Sequence, residues 1–140
     1  MIPKFRGKRK DNGEWVVGVP IPNSFCNVVH MIPILLTDKV AYPPERLHEY
    51  LIEIVPETLM QSTGLKDKNG VEIFEGDLVE HDDNLNGDWE TFEACEVVYD
   101  KDYAQFCFKW DAGNFLTDYR NLNVIGNIYE NPELSGDEQR

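Results

Sequence analysis

Glycine, proline and asparagine interrupt this chain so often that no segment is left for a long core helix, and this punctuation constrains the fold more than any other feature. In the second half Gly64, Gly70, Gly76, Gly87, Gly113 and Gly126 separate short apolar pieces at 71–74, 77–80, 91–99, 104–110 and 124–129. Pieces of that length carry too few residues for an amphipathic helix and suit strands. Some five strands in so short a stretch predict a small closed or half-closed barrel, because closure removes the exposed edges that invite aggregation.

The first half reads in the same way. Phe5, Trp15, Val17 and Val19 fall on short segments around Asp11-Asn12-Gly13, a strong hairpin signal. Residues 27–36 are rich in Val and Ile but contain Pro33, which belongs at an edge or a strand end. Pro43 and Pro44 suit the first turn of a helix, and Leu47 and Leu51 stand four apart, so a short helix is predicted near 44–51. A strand over 51–55 then ends at Pro56, with a second short turn over 56–60. The expected organisation is a β-rich region over 1–60, a barrel over 61–134 with Leu134 as the last buried residue, and a disordered tail over 135–140.

One strand pair admits two registers. If paired residue numbers sum to 202, Phe92 faces Trp110, Ala94 faces Phe108, Cys95 faces Cys107, and Glu93 meets Lys109 across the ladder. If they sum to 203, Glu93 faces Trp110 and the apolar face becomes Cys95, Val97, Phe106 and Phe108. The opposite-charge pair favours 202.

Charge separates the halves further. The 140 residues carry 13 Lys and Arg against 26 Asp and Glu, a formal net charge of −13, which argues against direct nucleic-acid binding through phosphate neutralisation. Residues 1–70 hold nine basic and eight acidic side chains, whereas residues 71–140 hold four and 18. Lys4, Arg6, Lys8, Arg9 and Lys10 form a basic arm, suited either to a solvated, pairing-resistant edge strand or to docking on an acidic surface of the chain or of another copy. No apolar run approaches a membrane span, and no basic-then-apolar leader opens the chain. Cys26, Cys95 and Cys107 show no CxxC spacing, so a cytoplasmic setting is expected.

Residues 61–79, QSTGLKDKNGVEIFEGDLV, resemble the signature of the YopX family of phage and prophage proteins. Residues 2–8, the 96–99 stretch followed by Phe106, and residues 124–134, VIGNIYENPEL, are similar to further family segments. The resemblance implies an SH3-like β barrel in the second half, packed with an irregular β-rich first half, and self-association in the cytoplasm of a bacterial host. It brings no biochemical activity with it. The signature residues Gly64, Asn69, Gly70, Gly76, Asp77, Gly126, Asn131 and Pro132 read as fold-builders. Asn69-Gly70 supplies positive φ angles, Asp77 accepts backbone N–H groups, Gly126 admits a close strand, and Asn131-Pro132 ends the last one.

The sharpest chemical motif lies outside that signature. Residues 82–93 fit a calcium-loop pattern, with Asp82, Asn84, Asn86, Asp88 and Glu93 as oxygen ligands and Gly87 at the bend. Strand-like flanks and Trp89 at the eighth position speak for the other reading, a hairpin with Asn86-Gly87 at its tip. No metal site, cofactor or catalytic residue is therefore assigned. Cys26 and His30 stand too far apart along an extended segment to share a proton, His48 belongs to the short helix, and His81 beside Asp82 reads as a surface residue. Trp15, Tyr42, Tyr50, Trp89, Tyr103, Trp110, Tyr119 and Tyr129 exceed what a small barrel interior can hide. They fill a joint or subunit interface, or line a peptide-receiving groove. The expected function is a non-catalytic protein-interaction or self-assembling module. The alternatives are an acidic mimic of DNA that blocks a DNA-binding protein, its basis the 12 carboxylates within 72–102, and a calcium-binding or enzymatic module at 82–93.

Overall fold

The computed structural model describes residues 3–23, 25–34, 44–85, 87–111 and 114–134, and the chain divides into the units Met1–Gln61 and Ser62–Arg140. Both are built of antiparallel strands, as the punctuation requires.

In the first unit β1 (Phe5–Lys8), β2 (Trp15–Pro22), β3 (Val29–Pro33) and β4 (Ile52–Ile54) form a meander. Asp11-Asn12-Gly13 makes the β1–β2 turn, with Gly13 at φ 73° and the Glu14 N–H on Asn12 Oδ1. Pro33 closes β3, where its missing N–H costs the ladder least. The predicted helix is a 3₁₀ turn, Pro44–Glu49, and a second one, Pro56–Thr58, leads from β4 to the start of β5 (Met60–Lys66). Met60 and Gln61 pair with Arg6 and Phe5 on the side of β1 away from β2. Past the end of β1 the chain returns to β4. The Val55 N–H donates to Lys8 O and the Lys10 N–H to Glu53 O, around an isolated bridge between Arg9 and Ile54. Met31, Ile54 and Met60 form the buried apolar centre. Gly18 is glycine for a steric reason: a Cβ there would collide with the Ile32 carbonyl on β3.

In the second unit the remaining part of β5 pairs with β6 (Glu72–Phe74). β7 (Asp77–Leu85), β8 (Asp88–Asp100), β9 (Gln105–Phe108) and β10 (Arg120–Asn127) form a sheet in the order β10-β7-β8-β9. The expected closure does not occur among the described residues: β9 and β10 stand at opposite edges, and the sheet is open. After β9 the chain enters a 3₁₀ turn, Leu116–Asp118, and then β10, so no described strand bridges the gap. Ile73, Val79, Cys95, Val97, Phe108, Leu116 and Tyr119 make up the core.

Neither register expected for β8 and β9 is adopted. Val97 faces Phe108, Val98 faces Cys107 and Tyr99 faces Phe106, a sum of 205. The turn decides. A sum of 203 would force Lys101-Asp102 into a two-residue loop needing positive φ at non-glycine residues. The observed four-residue loop is instead held by Asp100 Oδ1, which accepts the Asp102 and Tyr103 N–H groups, with Ala104 at φ 54°. Lys109 consequently meets Glu96 rather than Glu93, and Trp110 Nε1 donates to Cys95 Sγ. Cys95 and Cys107 occupy opposite faces of the ladder rather than facing each other, and no disulfide joins them.

Four signature residues, Asn69, Gly126, Asn131 and Pro132, act differently from expectation. Gly70 has a positive φ (82°), but Asn69 does not. The Asp67–Gly70 turn, closed by the Gly70 N–H on Asp67 O, places Asn69 and Gly70 one position later than an Asn-Gly hairpin would. Gly126 makes room for the Asn131 side chain and not for a strand. β10 ends at Asn127, whose Oδ1 accepts the Tyr129 and Glu130 N–H groups, while Pro132 starts a 3₁₀ turn, Pro132–Leu134. Leu134 is exposed, and the tail over 135–140 lies outside the described residues.

Candidate functional site

β7 and β8 are long for so small a unit and extend as an arm beyond their partners. Asp82 pairs with Thr91, Asp83 with Glu90, Asn84 with Trp89 and Leu85 with Asp88, leaving a two-residue turn at 86–87 with Gly87 at φ 91°. Asn86 itself lies outside the described residues. An extended ladder spreads the four described calcium-loop candidates, Asp82, Asn84, Asp88 and Glu93, along two strands instead of wrapping them round one point. Asp82 is committed elsewhere: Thr91 Oγ1 donates to its Oδ1 at 2.6 Å and Asn121 Nδ2 to its Oδ2 at 2.6 Å. Those two bonds, Asn121 first, hold its carboxyl below the usual aspartate range. Glu93 is exposed. Among the described residues no three His, Cys, Asp or Glu side chains converge as a metal site would require.

His81 is a correction. It is 1% exposed, not a surface group, and its ring stacks on Phe108 (centroids 4.3 Å) and Phe92 (5.5 Å) and meets Tyr119 edge-on (4.7 Å). Alternation could have revealed this, since His81 follows buried Val79 by two residues on one strand. The adjacent carboxylates draw attention to the solvent side, but the strand period places the imidazole inside.

Asp67 escaped sequence reasoning altogether. It is 7% exposed; its Oδ1 accepts the N–H groups of Asn69 (2.8 Å) and Val71 (2.9 Å), and its Oδ2 that of Val124 (2.9 Å). Burial pushes its carboxyl up, but the three N–H donors outweigh that and hold it below the ordinary value. Asp77, 1% exposed, plays a related part by accepting the Phe74 N–H at 2.7 Å.

The basic arm finds partners within its own unit. Arg9 bridges to Asp11 (2.8 Å) and Lys10 to Glu53 (3.1 Å), while Arg6 and Lys8 lie over the Trp15 ring at 5.0 and 5.6 Å. Cys26 and Trp89 are exposed, as is Phe25 at 97%. Tyr42 lies outside the described residues, and Tyr119 is buried. At the β9 edge Tyr99, Tyr103, Trp110 and Phe115 are 40–63% exposed. Rings exposed beside an unpaired strand edge offer both apolar area and free backbone groups.

An all-β protein of two antiparallel units, with a buried aromatic–histidine nest and an aromatic edge, is the class these features define. The chain matches the family model described as "YopX protein" over residues 4–135, and it belongs to that family. Among solved structures it is similar to protein EF1440 from Enterococcus faecalis. The two share 31% identity with a TM-score of 0.58, over 96% of this chain and 98% of that one. No curated protein matches it. No helix among the described residues is long and apolar enough to cross a membrane.

Proposed function

We propose that this protein is a non-catalytic phage or prophage accessory module that acts in the host cytoplasm by protein interaction, self-association included, and that the β9 edge of the second unit is its contact surface. The observation that carries this reading is the exposure of four rings on the segments that flank an edge strand: Tyr99 at the end of β8, Tyr103 in the β8–β9 loop, and Trp110 and Phe115 after β9. Aromatic side chains dominate interface energetics, and a free edge accepts a further strand through main-chain bonds. The local pairing of Arg9 and Lys10 favours an apolar contact over docking of the basic arm, so raised salt leaves association intact. Light scattering at low and high salt tests it. The expected result is a salt-resistant oligomer that Tyr103→Ser with Phe115→Ser disperses; a wild-type monomer at both salts removes self-association.

Both units also follow one chain plan. Each is a meander whose first strand pairs on its other side with the strand that follows a 3₁₀ turn: β1 with β5 after Pro56–Thr58, and β7 with β10 after Leu116–Asp118. We read this as an SH3-like plan. It is drawn more fully in the first unit, where β4 is present.

A second reading, an acidic mimic of a phosphate backbone, draws on the β7–β8 arm, where Asp83 and Glu90 face each other across the ladder. Competition with duplex DNA for a DNA-binding host protein supports it; binding that survives charge reversal at Asp83 and Glu90 removes it.

A further inference from the structure

Within the second unit an open cleft of about 330 Å³ lies between two chain segments, with Leu65, Lys66 and Lys68 on one side and Thr117, Tyr119 and Leu122 on the other. The Lys68 N–H donates to Leu122 O at 2.8 Å, which fixes the spacing of the two walls.

Its chemistry is unusual for so acidic a unit. Lys109 is paired with Glu96 and Arg120 lies 4.0 Å over the Trp89 ring. Lys66 and Lys68 form no ion pair within 4 Å among the described residues, although Lys68 lies in the field of Asp67 and Asp82. Tyr119 is 7% exposed, and its hydroxyl, shielded from solvent, meets no hydrogen-bond partner among the described residues. Sealed beneath the surface, that hydroxyl is out of reach of a molecule in the open cleft, so the polar contacts available there are those of Lys66, Lys68 and Thr117. The one carboxylate lining the cleft, Asp67, has both oxygens engaged by the three backbone N–H groups of Asn69, Val71 and Val124, which blunts its repulsion of an anion.

We propose that this cleft binds a phosphate-type dianion, with the Lys66 and Lys68 ammonium groups neutralising it, the Thr117 hydroxyl donating to its oxygens, and Leu65 and Leu122 receiving an organic substituent. Two cations match a dianion better than a single carboxylate. Free phosphate and a phosphomonoester share this chemistry, and the apolar walls distinguish them. The volume sits at the small end for ligand pockets, which suits a phosphate with a modest substituent. The cleft shares no lining residue with the exposed aromatics beside β9, and the titration reads occupancy while light scattering reads association, so failure of one reading is distinguishable from failure of the other.

The test is amide-resolved NMR titration with inorganic phosphate and with phenyl phosphate, against sodium chloride at matched ionic strength. The expected result is saturable shifts at Lys66, Lys68, Thr117 and Tyr119, with phenyl phosphate tighter. Lys66→Gln with Lys68→Gln weakens binding by about tenfold or more, and Thr117→Val by about threefold. Tyr119→Phe deletes a hydroxyl that meets no described partner and is sealed from the cleft, so it leaves thermal stability unchanged or raised and the affinity unchanged, and serves as the control. Three results overturn the proposal: no saturation, the same shifts with chloride, or equal affinity in the double lysine variant. Phosphate binding without preference for phenyl phosphate overturns the part assigned to Leu65 and Leu122.

Discussion

Replacing Asp67 tests whether one ionised side chain holds the β5–β6 turn to β10. The carboxylate accepts three backbone N–H groups at 2.8–2.9 Å while 7% exposed. In Asp67→Asn the amide oxygen can keep the Asn69 and Val71 bonds, but its NH₂ then confronts the Val124 N–H, donor against donor. Exchanging charged for neutral acceptors at two bonds costs roughly 1 kcal/mol each, and leaving one N–H without an acceptor about 1–3. Relief of the carboxylate's own desolvation offsets part of this, so about 2–4 kcal/mol remains. Asp67→Ala strands all three donors, but those of Asn69 and Val71 lie where the chain is exposed and regain water, so its cost is of the same order.

The pH dependence gives the sharper check. A carboxyl whose folded pKa lies below its unfolded value stabilises the fold fully above the unfolded pKa, about 3.9, and loses that contribution as pH falls through the folded one. Urea unfolding of wild type and Asp67→Asn across the acid range should therefore show a stability gap that is full near neutrality and narrows on acidification. Amide exchange at Val124 should accelerate in the variant. A variant within about 0.5 kcal/mol of wild type at neutral pH, or a gap that stays constant into acid, refutes the reasoning.

Further outcomes follow from the same geometry. Gly18→Ala sets a Cβ against the Ile32 carbonyl and should destabilise the first unit by about 2 kcal/mol or more in urea unfolding; a neutral result shows that β2 and β3 separate easily. Glu90→Lys turns the like-charge pair with Asp83 into an opposite one and should stabilise by roughly 0.5–1 kcal/mol at low salt, with the gain shrinking as salt is raised. An aromatic disulfide reagent should label Cys26 promptly and leave Cys95 and Cys107 until unfolding, since only Cys26 is exposed and burial first, then Asp100 and Asp111, pushes the Cys107 thiol up. Terbium should give no saturable emission sensitised by Trp89, because Asp82 already serves Thr91 and Asn121; a saturable signal abolished by Glu93→Gln reinstates the calcium reading.

What the sequence disclosed and what it withheld divide along the range of the forces involved. Turn residues act over three or four positions, so Asp11-Asn12-Gly13, Gly87 and the 3₁₀ turns led by Pro44 and Pro56 could be placed from local sequence alone. Register depends on which turn closes a hairpin. Counting aromatic faces missed that Asp100 would cap a four-residue loop and move Phe108 opposite Val97. Closure was misjudged for a related reason: counting strands predicts how many edges exist, but not whether the last strand returns to the first or stops at an intervening turn. Among the described residues the second half holds an open sheet ending at β9, while in the first half the chain just past β1 meets the edge strand β4 at one bridge, Arg9 with Ile54. His81 and Asp67 were hidden by their own polarity. Each lies in a charged neighbourhood that reads as solvent-facing, and each is inside because something distant completes its surroundings: Phe108 and Tyr119 for the imidazole, the Val124 N–H for the carboxylate. Local pattern therefore locates the corners of such a fold. Its buried polar groups become legible only when strand alternation is followed through the charged stretches as strictly as through the apolar ones.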